Sequence, residues 1–411
     1  MISKSQIQTN CKKARKNNFS YYLMLLSVIA ILIVTDTSMT SILAFNLVGK
    51  KIVIFAMVLG LYGLIILFLN RRIKADLIFI LLCLRIPFFL VQPLIYSGFN
   101  ESFFANYLIV IIAPIVYQMV ILIEVDSNKL LKGLLKYSII IIIIQLFSVY
   151  IESISKSVPV YMFKSNLLIP VGGSNYIAAI LLILGIMSLK VFDNKFYVAV
   201  SFLGIFLTLS NSGIFTMLLT LIIVFINHRQ KVQLKKTMKL LIKALVIVGL
   251  LVFVINYTRN FEYVESIFSR YTKMIDSIFN IRSFNNTSTF DISNGRINIF
   301  SNSIKMIAER PILGWGLGIV ENVEYSGKVH NWVLQGLLNG GLIGLLIYIL
   351  PLQLAVGKMW KTRKLDYSYY GLLVIFASLL QGLVEPNYFT PTIELLIWLI
   401  IGISLKDTKE Q

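Results

Sequence analysis

The sequence predicts an all-α fold, a polytopic transmembrane helical bundle of about twelve spans with one long extracytoplasmic loop that contains short helices. Three observations carry this. The chain of 411 residues is 57% hydrophobic and only 14% charged, with mean hydropathy +0.81, far more apolar material than one soluble core buries. Its apolar residues come in runs of roughly 17 to 22, the length a helix needs to cross the hydrocarbon layer, and they do not alternate as barrel strands do. The Lys and Arg residues sit mostly in the short breaks between these runs, where they act as topology signals.

The runs fall at about 20–36, 52–69, 76–95, 104–123, 134–151, 175–192, 196–209, 212–227, 241–257, 332–352, 369–384 and 391–405. An even count places both termini on one side. With the N-terminus inside, the cytoplasmic segments are the leader, Asn70–Lys74, Glu124–Lys136, Lys190–Lys195, His228–Lys243, Lys358–Tyr367 and the tail after Leu405, which together hold most of the 38 Lys and Arg. The first run follows a basic leader (Lys4, Lys12, Lys13, Arg15, Lys16), with no small-residue cleavage motif after it. It reads as a retained first span of an inner-membrane or plasma-membrane protein and not as a signal peptide. The run at 196–209 is short and is separated from the next only by the turn around Ser210–Gly213, so the pair reads as a tilted span or a helical hairpin.

One connection breaks the pattern of short loops, the extracytoplasmic stretch from Tyr257 to Val329. Loops of this length usually carry function. The chain therefore divides into a bundle over 1–257, the loop over 258–331 and a second membrane segment over 332–411. Within the loop, Ile297, Phe300, Ile304 and Ile307 fall on one helical face of Asn294–Arg310, which predicts an amphipathic helix on the membrane surface or over the bundle.

Several function classes are excluded by composition. A net charge of +19 suggests nucleic acid only if the basic residues share a soluble face, and these do not. Cys11 precedes the first run and Cys83 lies inside another, so neither is placed for an extracytoplasmic disulfide or a metal site. There is no P-loop and no outer Asp-x-Asp pair of the kind that holds a metal with a nucleotide sugar. The expected chemistry uses no metal and no cofactor.

The most informative stretch is Asn294–Leu350, which contains NGRINIFSNSIKMIAERPILGWGLG and then VHNWVLQGLLNGGLIGLLIYIL. It resembles the signature of the O-antigen ligase and polysaccharide polymerase family, the Wzy-type membrane proteins: an Arg opening a helix, a Pro-x-x-Gly-x-Gly-x-Gly turn, and a His-Asn pair at the start of a Gly-rich span. The matching positions are Arg296, Pro311, Gly314, Gly316, Gly318, His330 and Asn331. A second resemblance is VGGSNYIAAILL, with Gly172, Gly173 and Asn175 at the entry to a span. A third is LTLSNSGIFTMLL, with Ser210, Ser212 and Gly213 at a turn, where Asn211 stands in the place of the family's basic residue.

The resemblance implies an enzyme that joins glycans carried on undecaprenyl diphosphate at the outer face of the membrane. Its substrates are lipid-linked oligosaccharides, its surroundings are membrane lipids, and its partners are the flippase and chain-length regulator of the same pathway; nucleic acid is not among them. His330 is the only histidine besides His228, which lies in a basic cytoplasmic segment. His330 stands at the outer, N-terminal end of a span, where an imidazole suits the role of a base for an acceptor hydroxyl. The alternative for His330 is an exposed loop histidine bonded to backbone. Arg296 follows a Ser293-Asn294-Gly295 cap region, so a guanidinium and free helix-terminal N–H groups share one place, a combination suited to diphosphate; the alternative is an arginine snorkelling to headgroups. Arg310, Arg270 and Arg282 are weaker candidates for the same task. Arg85 lies near mid-span, where a charge needs a partner or a water-filled cavity, so it either holds the diphosphate or pairs with another span. Asn331, Asn175 and Asn211 complete the polar candidates. Gly336, Gly340 and Gly344 recur every four residues and read as a helix-packing face.

The leading expectation is a polymerase of lipid-linked repeat units for a surface polysaccharide (O-antigen, capsule or exopolysaccharide). A ligase uses the same donor with another acceptor. A flippase or transporter of lipid-linked sugars is the rival from a different class, and it predicts internal repeats and polar residues within several spans. A structural partner of an assembly complex would tolerate loss of His330.

Overall fold

The computed structural model describes residues 75–96, 101–122, 126–156, 174–193, 196–208, 210–226, 239, 296–317, 329–385 and 391–407. Among these residues ten helices are formed: α1 (Leu77–Tyr96), α2 (Glu101–Leu122), α3 (Ser127–Lys156), α4 (Ser174–Val191), α5 (Phe196–Leu207), α6 (Asn211–Ile226), α7 (Arg296–Glu309), α8 (Trp332–Lys361), α9 (Asp366–Gly382) and α10 (Pro391–Asp407). Nine of them coincide with predicted apolar runs, and their starts follow cap chemistry. Asp76 Oδ1 accepts from Phe79 N at 3.0 Å ahead of α1, and Asp126 Oδ1 accepts from Asn128 N at 2.8 Å ahead of α3.

The described residues are all-α as predicted, but the count of about twelve membrane spans is corrected. Two of the ten helices are long and apolar enough to cross a membrane, over Leu77–Ile95 and Trp332–Lys361. Others are short. Helices α5, α6, α9 and α10 have 12, 16, 17 and 17 residues; at a rise of about 1.5 Å per residue these reach roughly 18 to 26 Å, less than the ~30 Å hydrocarbon layer. A run of apolar letters measures composition, and it does not fix the length of the helix that contains it. The predicted spans at 20–36, 52–69 and 241–257 lie outside the described residues, as do the boundary at 257 and most of the 258–331 loop.

In the bundle, α8 packs along α1, α10 along α2, and α9 along α4; α5 lies on α3 and α4, and α6 on α4 and α9. Trp398, Tyr117, Tyr370, Phe89, Phe103 and Phe202 are fully buried at these contacts. Small residues set the approach: a Cβ on Gly402 would stand 3.0 Å from Val120 Cβ, so α10 and α2 run in close contact there. Outward faces carry large apolar side chains. Phe215, Leu218, Ile222 and Ile226 are exposed along one side of α6, and Leu84, Val91, Leu94 and Ile95 along α1. Continuous apolar faces of this kind are matched to lipid rather than water and place the protein in a membrane.

Helix α8 is broken at Gly341, whose φ of 58° and ψ of −160° lie outside the helical region. The turn that follows α7 fills the break. Trp315 N donates to Leu338 O at 2.7 Å and Gly316 N to Asn339 O at 2.9 Å, satisfying carbonyls at the end of the first half. Leu342 N donates to Pro311 O at 2.8 Å and Ile343 N to Ile312 O at 3.2 Å, satisfying N–H groups at the start of the second. Gln92 of α1 adds Nε2 donations to Asn339 O, at 3.0 Å, and to Leu313 O. An interrupted helix at membrane depth needs this kind of internal partner for its freed backbone groups. Gly314, at φ 69°, and Gly341 are stacked backbone to backbone, and a side chain on either would meet the other's strand of chain. Gly340 and Gly344 face Phe89 and Phe88 of α1, consistent with the expected packing face, although the helix carrying them is not continuous.

Helix α7 lies over the first half of α8, as predicted for an amphipathic helix over the bundle. Phe300, Met306, Ile307, Trp315 and Leu334 pack around buried Val329 and Leu338. The buried face is centred on Ser303, and Ile304 is 57% exposed, so the face is rotated from the predicted one. Ile297 has no described side chain.

Candidate functional site

His330 precedes α8, and Asn331 caps it. Asn331 Oδ1 accepts from Val333 N at 2.8 Å and Leu334 N at 3.1 Å, while its Nδ2 donates to Leu383 O at 3.1 Å. The cap thus ties the start of α8 to the turn that ends α9. On that turn sits Glu385, whose backbone N–H donates to Gln381 O at 3.2 Å. Its Oε2 lies 2.9 Å from His330 Nδ1. The Glu385 side chain is 3% exposed and the His330 side chain 31%, so the carboxylate is enclosed while the ring still reaches outward.

The second carboxylate oxygen continues the network. Asn175 Nδ2 donates to Glu385 Oε1 at 2.5 Å, and Ser210 Oγ donates to Asn175 Oδ1 at 2.6 Å. Ser210 Oγ in turn accepts from Gly213 N at 3.1 Å, and Gln381 Nε2 donates to Asn175 O at 2.9 Å. The three stretches singled out in the sequence, around Asn175, Ser210 and His330, therefore meet at one place, with Glu385 between them.

This arrangement has a definite polarity. Glu385 only accepts, so it takes the Asn175 NH₂ and holds the amide with its carbonyl oxygen toward the Ser210 hydroxyl. A carboxylate accepting from Asn175 on one oxygen offers the other to His330 Nδ1. With Nδ1–H donated there, His330 Nε2 carries the lone pair, the form that takes a proton from a substrate hydroxyl.

The remaining predicted residues are distributed differently. Asn211 opens α6 and is exposed. Arg296 opens α7, and its side chain is outside the described residues, as are Arg270 and Arg282. Arg310 follows α7, its guanidinium carbon 3.9 Å above the Trp315 ring, and Trp315 Nε1 donates to Met306 O at 2.8 Å. Arg85 is fully buried. Its Nη1 lies 2.5 Å from Glu394 Oε1, Nη2 donates to Tyr348 O at 3.3 Å, and its guanidinium carbon stands 4.0 Å over the Tyr348 ring. Tyr348 is about four turns along α8 from the His330 end. Of the two expectations for Arg85, the contacts correspond to pairing between helices.

Helices α7 and α8 both run toward the break at Gly341, since the chain after α7 docks on it. Phe300, one turn into α7, shares a cluster with Val329, the neighbour of His330. The N-terminal ends of the two helices therefore lie at the same end of the pair. Two such termini bring positive dipole ends together, and at α8 the Asn331 cap already takes Val333 N and Leu334 N. Among the described residues no group of three or more His, Cys, Asp or Glu is placed to hold a metal ion.

A membrane-embedded helical protein with a carboxylate-backed histidine at an interrupted helix is the class that fold and site define. Residues 196–349 match the family described as O-antigen ligase. This match over part of the chain agrees with the resemblance of the Asn294–Leu350 stretch. The chain is also 33% identical over 101 residues to an O-antigen ligase of Pseudomonas aeruginosa, a stretch that covers 23% of this chain and 25% of that protein. Glu385 lies outside the matched span and was not found from the sequence. Its available signal was its position as the single carboxylate between Asp366 and Glu394.

Proposed function

We propose that this protein is a membrane glycan transferase of the ligase type. It moves a glycan from undecaprenyl diphosphate to a hydroxyl of a separate acceptor at the outer face of the membrane. The observation that carries this reading is the capped, partly exposed His330 with Nδ1 held by a buried carboxylate. In the transfer, the acceptor oxygen bonds to the anomeric carbon as the bond from that carbon to the diphosphate oxygen breaks. The hydroxyl proton passes to His330 Nε2, and the lipid diphosphate leaves with its electron pair. Arg296 and the paired N-terminal ends of α7 and α8 stabilise the charge that develops on the diphosphate. The topology that serves this chemistry has both termini cytoplasmic and the 258–331 loop outside.

The polymerase expected from the sequence uses the same donor and the same base, and differs in taking the next lipid-linked repeat as acceptor. Both comparisons carry the description O-antigen ligase, which favours the ligase reading. Purified protein given a lipid-linked donor together with either a lipid-core acceptor or a second lipid-linked repeat separates them. Product on the lipid core alone supports the ligase; chains of two or more repeats support the polymerase. No transfer to either acceptor by folded protein removes the reading.

A further inference from the structure

We propose that Glu385 is a positioning residue that sets the tautomer of His330, and that Asn175 and Ser210 set Glu385. The proposal rests on His330 acting as the base in the transfer above. It follows from the directions of four hydrogen bonds. Gly213 N donates to Ser210 Oγ at 3.1 Å, so the hydroxyl proton is free to point to Asn175 Oδ1, 2.6 Å away. Glu385, which only accepts, takes Asn175 Nδ2 on Oε1 at 2.5 Å, and this holds the amide with its carbonyl oxygen toward the Ser210 hydroxyl. The remaining oxygen, Oε2, faces His330 Nδ1 at 2.9 Å. A carboxylate only accepts, so Nδ1 must donate, and Nε2 is left as the ring's acceptor. Each partner comes from a different helix: Ser210 precedes α6, Asn175 opens α4, Glu385 follows α9 and His330 precedes α8. The tautomer is therefore set by how four elements pack.

A glutamine at 385 keeps the shape and reverses the direction. Asn175 Nδ2 needs an oxygen, so the glutamine Oε1 turns to it and the glutamine NH₂ faces His330. Nδ1 must then accept, the proton moves to Nε2, and that atom has no lone pair for a substrate hydroxyl.

The test uses full-length protein labelled with ¹⁵N-histidine in nanodiscs. The chain has two histidines, and His228→Gln assigns the signal of His330. At alkaline pH the neutral ring of the wild type is expected to be protonated at Nδ1, and that of Glu385→Gln at Nε2. Transfer by Glu385→Gln falls about 10²–10⁴-fold in kcat with KM nearly unchanged, and Glu385→Asp restores part of it. Asn175→Ala, which keeps the carboxylate but releases one oxygen, gives a mixture of tautomers and a smaller loss. It also serves if Glu385→Gln does not fold. The same tautomer in wild type and in the folded variants overturns the proposal. A tautomer that switches without loss of transfer leaves the positioning intact and overturns the role of His330 as base.

Discussion

Arg85 and Glu394 offer a double substitution that separates a structural charge from a substrate-binding one. The pair joins α1 to α10 at 2.5 Å, with both side chains enclosed, 0% and 1% exposed. Arg85→Met leaves Glu394 buried without its cation, a loss of about 3–5 kcal/mol for a broken buried pair. It also removes the guanidinium from the Tyr348 ring, about 0.5–2 kcal/mol more. Replacing both, Arg85→Met with Glu394→Leu, leaves no buried charge. Two weaker bonds are still lost, Arg85 Nη2 to Tyr348 O at 3.3 Å and Trp398 Nε1 to Glu394 Oε1 at 3.4 Å, each roughly 0.5–1.5 kcal/mol. With the lost Tyr348 ring contact counted as well, the double variant is therefore expected within about 5 kcal/mol of wild type and more stable than Arg85→Met alone. Unfolding in detergent measures the cycle, and transfer by the same preparations measures function. Destabilisations that simply add would refute the pairing argument. A stable double variant that has lost transfer would show that Arg85 acts on the donor.

Three further outcomes follow from the site and the break in α8. Arg296→Ala should weaken donor use far more than protein abundance, and Arg296→Lys should recover only part, because lysine lacks the planar fork; donor titrations check both. Gly341→Ala should destabilise the protein by several kcal/mol, since a Cβ at φ 58° is strained by about 1–2 kcal/mol and displaces the chain that makes four backbone bonds to α8; thermal unfolding in detergent reads this. Asn331→Ala removes the acceptor of two N–H groups and should cost about 1 kcal/mol of stability, with a smaller loss of transfer than any change at His330.

Local chemistry was legible in the sequence where it acts over a few residues. Apolar runs became helices because burial and lipid both favour them, and Asn331 reads as a cap because it stands directly before an apolar run. The number of membrane spans was not legible, since short helices such as α5 have the same composition as spanning ones. The break at Gly341 was hidden for a related reason. Glycines spaced by four describe a smooth packing face, and nothing in that spacing reveals a positive φ at the glycine beside one of them. The partners of the charged residues were the least legible. Glu385 is 55 residues from His330 and 210 from Asn175, and Glu394 is 309 from Arg85, distances over which only the packing of the helices decides what meets. His330, Asn175 and the Ser210 turn were recognisable singly, and their convergence required the fold.

The role of His330 is the point on which the functional account depends. The most direct measurement is single-turnover transfer from a lipid-linked donor to a defined acceptor by purified wild type and His330→Ala. Both proteins are first shown to be folded by their thermal unfolding in the same detergent. The expected result is normal donor binding with transfer reduced by roughly 10²–10⁴-fold, the usual contribution of a positioned base. Transfer at the wild-type rate by folded His330→Ala would contradict the account.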